Sequence, residues 1–248
     1  MKILLITVAG TSSRFRKSLG KDCLKCIFHE GSIKDSLLYR QISSVNADRY
    51  VIVGGYRYNE LSSVLGDEAF DGYRDRISMV FNDRYDDYGS GYSLFVGLKE
   101  CLKYDCDSIT FMEGDLFLDA KDMNDVFSAD HDVITNNSEP ITADTSVLFY
   151  KRTDDTVRYL YDTNHRELSI TEPFKAIYNS GQVWKFNNMD KLRVVVEGSG
   201  DRDWKGTNLE IISRYFDGPI SSENIMKLST WINCNTVEDY QRAMEMVR

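Results

Sequence analysis

Four stretches of this chain carry residue types that handle phosphate and hard metal ions. The first is Ala9-Gly10-Thr11-Ser12-Ser13-Arg14-Phe15, which follows the apolar run Lys2 to Val8. Gly10 lets the backbone pass close to a ligand, and the amides and hydroxyls after it can donate to phosphate oxygens. Arg14 can hold a phosphate with a fork of donors. Lys25 is a second phosphate gripper, and Lys21, after Gly20, competes with it. The turn is neither a Walker loop nor a dinucleotide G-x-G-x-x-G loop. A plain strand exit is the alternative.

The second stretch is Glu113-Gly114-Asp115, at the tail of Ser108 to Met112. A carboxylate at the carboxyl end of a central strand suits Mg²⁺ shared with substrate phosphates. Asp115 is the first candidate ligand, with Glu113 and Asp119 supporting. The alternative is a turn with solvated acids. In the third, Trp231 to Asp239, Asn233 and Asn235 alternate, so an extended chain would aim both at one face. That run also reads as a strand leading into a helix capped by Thr236. The fourth is Asn82-Asp-Arg-Tyr-Asp-Asp-Tyr-Gly-Ser-Gly-Tyr-Ser-Leu94, where Asn82, Ser90 and Ser93 could meet a base edge and the glycines could admit a flat ring. Its tyrosines could equally pack at a helix start.

The elements that must position these residues alternate through the first half. Lys2 to Val8, Arg49 to Gly55, Arg76 to Asn82 and Ser108 to Met112 are buried-type strands. Helices are expected over Ser36 to Val45, with Ser36 as cap, about Asn59 to Leu65, and Ser90 to Leu102. This rhythm predicts a parallel, doubly wound sheet. Beyond Asp115 the chain shows short β-type runs at Asp132 to Thr135, Ser146 to Tyr150, Glu167 to Ile170, Ala176 to Tyr178 and Gln182 to Phe186. Few helices are expected between them. Helical spacing returns at Thr207 to Phe216 and Val237 to Val247. The expected fold is a single α/β, Rossmann-like domain over 1–248, with a mixed, mainly parallel central sheet and an inserted antiparallel β lobe in the second half. Within it, 1–118 is the nucleotide half, 119–230 the acceptor half and 231–248 a closing metal-side segment with a C-terminal helix.

Charge excludes some partners. The formal net charge is −9, which argues against nucleic acid, since duplex binding rests on clustered Lys and Arg. No apolar run is long enough to span a bilayer or form a signal-peptide core, so no membrane insertion is expected and a cytoplasmic location is the default. Five cysteines without framework spacing read as reduced thiols. Cys23-Leu-Lys-Cys26 lacks the second C-x-x-C or His pair of a zinc site. His29, His131 and His165 stand in unrelated contexts and give no Ser/His/Asp order.

Taken in order, these stretches resemble the nucleotidyltransferase superfamily with a GT-A-like fold, and within it the bacterial choline-phosphate and related small-alcohol-phosphate or phosphonate cytidylyltransferases. That family opens with A-A-G-x-G-S-R-L, then P-K-C-L, then L-L-E-R-Q. The counterparts here are Ala9 to Phe15, Leu24-Lys25-Cys26-Ile27 and Leu37-Leu38-Tyr39-Arg40-Gln41. Val51 to Tyr56 is similar to the family's V-x-G-Y strand, and Asn82 with Tyr92-Ser93-Leu94 to its N-P-x-Y…N-x-x-S-L. Glu113-Gly114-Asp115 matches its E-G-D, and Trp231 to Asp239 its W-x-E-I-D-T-x-E-D.

The resemblance implies that Ala9, Gly10, Thr11, Ser12, Ser13, Arg14 and Lys25 hold the triphosphate of CTP, with Arg14 and Lys25 catalytic. It also implies that Asn82, Ser90, Ser93 and Glu113 serve nucleotide binding and that Asp115, with Asn233 and Asn235, holds Mg²⁺. Three departures stand out. Thr11-Ser12 replaces a glycine-containing turn, proline is missing before Lys25, and both closing acids are Asn. The implied reaction joins CMP to a small phosphorylated alcohol, phosphocholine-like, or to a phosphonate, releasing pyrophosphate. For the acceptor, Trp184, Trp204 and Tyr178 could box a trimethylammonium group, although Trp184 alternates in a strand-like run and reads as core. Asp201 and Asp203 would suit a cationic acceptor, Lys175 and Lys205 an anionic one. The alternatives are a sugar-phosphate nucleotidyltransferase, a GT-A glycosyltransferase using a nucleotide-sugar, and an inactive nucleotide-binding homologue.

Overall fold

The computed structural model describes residues 1–142, 145, 147–161 and 169–247. The apolar run after Met1 forms β1 (Lys2–Val8), and the polar stretch after it, expected as a turn, coils into α1 (Ser13–Leu19). α2 (Leu37–Ser43) starts at Ser36, whose hydroxyl accepts from Tyr39 N, as its spacing predicts. β2 (Arg49–Gly54), α3 (Tyr58–Leu65), β3 (Ile77–Phe81), α4 (Ser90–Cys101) and β4 (Ser108–Glu113) follow within a residue or two of the sequence reading.

The second half is more helical than its sequence suggests. After β5 (Leu116–Leu118) comes α5 (Ala120–Ser128), capped by Asp119, which is thereby spent on Lys121 N. β6 (Val133–Asn136), β7 (Leu148–Arg152) and β8 (Val157–Leu160) lead to β9 (Phe174–Phe186). The two runs at Ala176 and Gln182 are thus one 13-residue strand. They read as separate because Ser180-Gly181 interrupts them, and Gln182 there takes a φ of 55°. α6 (Met189–Glu197), α7 (Asp201–Lys205), α8 (Leu209–Tyr215), β10 (Ile225–Lys227), β11 (Trp231–Asn233) and α9 (Val237–Glu245) complete the chain. Thr236 caps α9, its hydroxyl on Asp239 N, as expected. Of the run expected from Glu167 to Ile170, 167–168 lie outside the described residues, as do Ser146 and His165, and Ser169 and Ile170 are not strand.

The sheet runs β10-β6-β9-β4-β1-β2-β3. β1 pairs in parallel with both β2 and β4, and β2 with β3. β9 is antiparallel to β4 and β6, while β10 is parallel to β6. Much of the second half therefore widens the main sheet, and the antiparallel addition is the β7–β8 hairpin on the first half of β9. It differs from a separate lobe because β9 is long enough to serve both.

Strand alternation divides the core between two faces. Leu4, Ile6 and Val8 of β1 join residues of α2, α3 and α5, while Ile3 and Leu5 join residues of α4, α6 and α8. Each such side chain, fully buried, contributes about 1.5–3 kcal/mol. A third cluster packs α1 and α9 over the β5–β11 pair through Phe15, Phe117, Ile232 and Tyr240. Among the described residues no helix is long and apolar enough to cross a membrane.

Candidate active site

β1 and β4 lie side by side and parallel, so both end at one edge of the sheet. A cleft of about 520 Å³ opens there, where open α/β sheets bind ligands. Its lining includes Ala9, Gly10, Thr11, Ser12, Lys25, Asn82, Ser90, Ser93, Glu113 and Asp115. Four separate sequence stretches thus meet in one place.

The turn after β1 is pinned at both ends. Ala9 O accepts from Tyr56 N at 3.0 Å, and Ser12 O accepts from Arg16 N at 2.9 Å as α1 begins. Ser12 is left-handed, with φ 53°, which is uncommon for a residue with a Cβ. Its hydroxyl accepts from Lys25 N at 3.3 Å. Lys25 is framed by buried Leu24, Cys26 and Ile27, and its ammonium pairs with Asp115 Oδ2 at 2.9 Å. Of the two lysines considered, Lys25 lines the cleft and Lys21 does not.

Glu113 and Asp115 need Gly114 between them. A Cβ at Gly114 would come within 2.1 Å of Val8 Cγ1 and 3.0 Å of Thr7 O. Gln41, buried in α2, then fixes this turn: Nε2 donates to Glu113 O at 3.2 Å and to Leu116 O at 2.8 Å. On the side-chain level, Asn208 Nδ2 donates to Glu113 Oε1 at 2.5 Å. Burial, and then the neighbouring Asp115, push the Glu113 carboxyl up to about 7. Asp115 Oδ1 is shielded from solvent and has no hydrogen-bond partner among the described residues. Two carboxylates on a cleft floor, one with an unmatched oxygen, are donors that fit Mg²⁺ shared with phosphates. Among the described residues no group of three or more His, Cys, Asp or Glu forms a metal cluster.

Other expectations fall elsewhere. Ser13 and Arg14 are exposed on α1 and do not line the cleft. Arg14 makes no ion pair or hydrogen bond among the described residues. Asn233 and Asn235 also lie off the lining. Asn235 N bonds Asn233 O at 3.0 Å, so the chain turns at Cys234 and the expected alternation is broken. Asn233 ends the β11–β5 pairing opposite Leu116, and Cys234 N bonds Asp115 O at 2.8 Å, so this segment braces Asp115 through backbone. Burial pushes the thiols of Cys26 and Cys234 up to about 12, which holds both protonated.

Near the expected base site, Asn82 turns both ends of its amide to internal partners. Nδ2 donates to Ser93 Oγ at 2.8 Å, and Oδ1 accepts from Arg84 N at 2.8 Å. Gly89 and Gly91 admit backbone rather than a ring: a Cβ on them would lie 2.0 Å from Gly206 O and Asp203 O respectively. The three aromatics considered for an acceptor box do not converge. Trp184 stacks on Phe111 at 5.4 Å, Tyr178 on Phe149 at 4.9 Å, and Trp204 packs on Phe95 at 4.7 Å. Lys175 pairs with Asp155, and Lys205 with Asp201. Sequence reading missed Asn208 and left Gln41 only as part of a motif. Both sit beside other polar residues in the sequence, Thr207 and Arg40, so nothing local singles them out.

Solved structures with this architecture are nucleotidyltransferases. The inositol-1-phosphate CTP transferase from T. maritima is 15% identical, with 99% of this chain and 96% of that chain covered and a TM-score of 0.69. The CTP:phosphocholine cytidylyltransferase LicC from Streptococcus pneumoniae is 15% identical, covering 100% and 99%, at 0.63. A UDP-glucose pyrophosphorylase complexed with UDP-glucose is 11% identical, covering 100% and 98%, at 0.66. At such identities the likeness is one of fold. No curated protein matches the sequence. The model of one family, described as a domain of unknown function (DUF6564), matches residues 21–247, and the chain belongs to that family.

Proposed function

We propose that this chain is a nucleotidyltransferase that joins CMP from CTP to the phosphate or phosphonate of a small acceptor, with release of pyrophosphate. The observation that carries the reading is the Lys25–Asp115 pair, 2.9 Å apart, on the floor of a cleft walled by a glycine turn. An ammonium and a carboxylate held together there neutralise each other until phosphates arrive. The fold it shares with solved transferases supports the same reading.

In this reaction an oxygen of the acceptor's phosphate attacks the α-phosphorus of CTP, and the bond to the bridging oxygen of pyrophosphate breaks. A phosphate dianion is already a nucleophile, so the protein has little proton transfer to do. Its work is alignment and charge neutralisation. Lys25 neutralises the triphosphate. Amides and hydroxyls of residues 9–12 line its path. Arg14, on a long stem two residues beyond Ser12 and without a side-chain partner among the described residues, is available to the outer phosphates. Asp115 and Glu113 would hold Mg²⁺, which supplies positive charge to the phosphate oxygens.

A second reading concerns the acceptor. The dispersal of Trp184, Tyr178 and Trp204 takes away the aromatic box that a trimethylammonium group would use, and this favours a hydroxylated acceptor such as a sugar phosphate. The likeness to UDP-glucose pyrophosphorylase is in line with that. The deciding experiment incubates the protein with Mg²⁺, each NTP, and a panel of phosphorylated alcohols, sugar phosphates and aminoalkylphosphonates, following pyrophosphate. Release with CTP and one acceptor is expected. Tight CTP binding without release from any pair would leave a nucleotide-binding homologue.

A further inference from the structure

Asn208 stands where α8 begins and does not cap it. Asn is among the best capping residues, because its side-chain oxygen takes a first-turn N–H for about 1 kcal/mol. Here Thr207 Oγ1 accepts from Leu209 N at 3.3 Å, and the Asn208 amide turns toward the cleft. Its Nδ2 donates to Glu113 Oε1 at 2.5 Å, while its backbone N donates to Ser90 Oγ at 3.0 Å. The residue is only 3% exposed, so water does not compete for the amide. A helix that gives up its best cap in favour of a cleft carboxylate points to use of that carboxylate.

The Glu113 carboxylate has one protein donor among the described residues, and it is Asn208. Glu113 is only partly buried and lines the cleft. Without Asn208 the carboxylate would be free to rotate, or to turn away from Asp115. The segment carrying Asn208 is itself fixed, since the backbone at Asp203 and Gly206 lies against Gly91 and Gly89, with Gly91 N bonded to Gly206 O at 3.1 Å. We propose that Asn208 is a positioning residue, holding Glu113 so that its second oxygen faces bound substrate and tying the 201–208 segment to the nucleotide side of the cleft. The inference rests on the nucleotidyl-transfer reading.

A double-mutant cycle tests it. Asn208→Ala and Glu113→Ala should each lower kcat/KM for pyrophosphate release about 10- to 100-fold, the usual range for a group that orients a functional ligand. If Asn208 acts through Glu113, the double variant falls no further than Glu113→Ala alone. Losses that multiply would overturn the inference. Asn208→Leu guards against misfolding, because Leu is of similar size, lacks the N–H donor and sets no charge beside Glu113. Its melting temperature should fall no further than that of Asn208→Ala, and it should still lose rate as Asn208→Ala does. Full rate in that variant would count against the proposal. A wild type that releases no pyrophosphate with any pair would sink the transfer reading and this inference together, whereas an active wild type with multiplying losses sinks the inference alone.

Discussion

The two walls of the cleft are built by different means. On the side of β1, β2 and β3 the backbone holds the site: Tyr56 N on Ala9 O at 3.0 Å, Gly114 N on Thr7 O at 2.9 Å, Asn82 N on Gly54 O at 2.8 Å. On the opposite side the second half reaches in with a side chain, the amide of Asn208. Backbone bonds survive most substitutions, whereas a side-chain contact is lost with one codon. Under the proposed function, the first wall would suit the triphosphate, which is common to the nucleotides, and the second would be the easier one to change.

The sharpest test of that contrast strikes the charged pair that joins the walls. Lys25→Ala and Asp115→Asn should each cost about 3–4 kcal/mol of barrier, roughly 10²- to 10³-fold in pyrophosphate release, as loss of a charge-stabilising group does. Asn235→Ala, off the lining, should stay within about 0.5 kcal/mol of wild type. Equal losses at Asn235 and Asp115 would extend the reacting floor onto the closing segment. Next in size is Gln41→Leu. It strips the donor from two backbone carbonyls, Glu113 O and Leu116 O, in a site that is 4% exposed. Unmatched buried acceptors cost about 1–3 kcal/mol, so the urea midpoint should drop with an unchanged slope. Rate should fall too, since the turn carries both acids.

What could be read in advance follows the same division. Parallel strands covered on both faces are continuous apolar runs, so β1 was legible to the residue, and the phosphate turn and E-G-D followed at their ends. The second half mixes two patterns in one strand. The first part of β9 pairs β7 of the hairpin and the rest pairs β4 and β6 of the main sheet, so its sequence breaks at Gly181 while its backbone does not. α5 and α6 bury only three residues each, Met123, Val126 and Phe127, then Leu192, Val195 and Val196, and short amphipathic helices are faint against polar surroundings. Asn208 was unreadable for another reason. Its partner lies 95 residues away, and only the tertiary fold brings α8 to β4.

Lys185 offers a break in the second half alone. It is wholly buried in β9, its ammonium donating to Phe127 O above the Phe127 ring, with no ion pair among the described residues and Asp130 acting on it only through space. Burial, with Lys2 nearby, lowers its pKa from 10.5 to about 8. The folded state therefore binds the proton more weakly than the unfolded one, and the charge costs stability below about pH 8. The cost shrinks as pH rises from 8 to 10.5, where the unfolded chain still holds the proton. Lys185→Met removes that cost but leaves Phe127 O without its ammonium donor, which takes back about 1–3 kcal/mol at every pH, so the variant should gain on wild type as pH falls from 10.5 to 8. The gain over wild type should fade toward pH 10.5. A gain that is flat with pH would mean that packing, not charge, is the cause.

The smallest effect returns to the backbone-held wall. Ser12 takes φ 53° at the position where the resembled motif A-G-x-G-S-R has its second glycine. A side chain in that conformation costs roughly 1–2 kcal/mol relative to glycine, and the loss of the Ser12 hydroxyl on Lys25 N gives back about 0.5–1.5 kcal/mol. Ser12→Gly should therefore be near neutral, within about 1 kcal/mol, while Ser12→Ala keeps the strain, drops the bond and should be the less stable of the two. Melting temperatures of the pair read the difference directly. If Ser12→Ala were the more stable of the two, the left-handed turn would not be straining this chain, and a Ser12→Ala as stable as wild type would leave the hydroxyl without a role in seating Lys25.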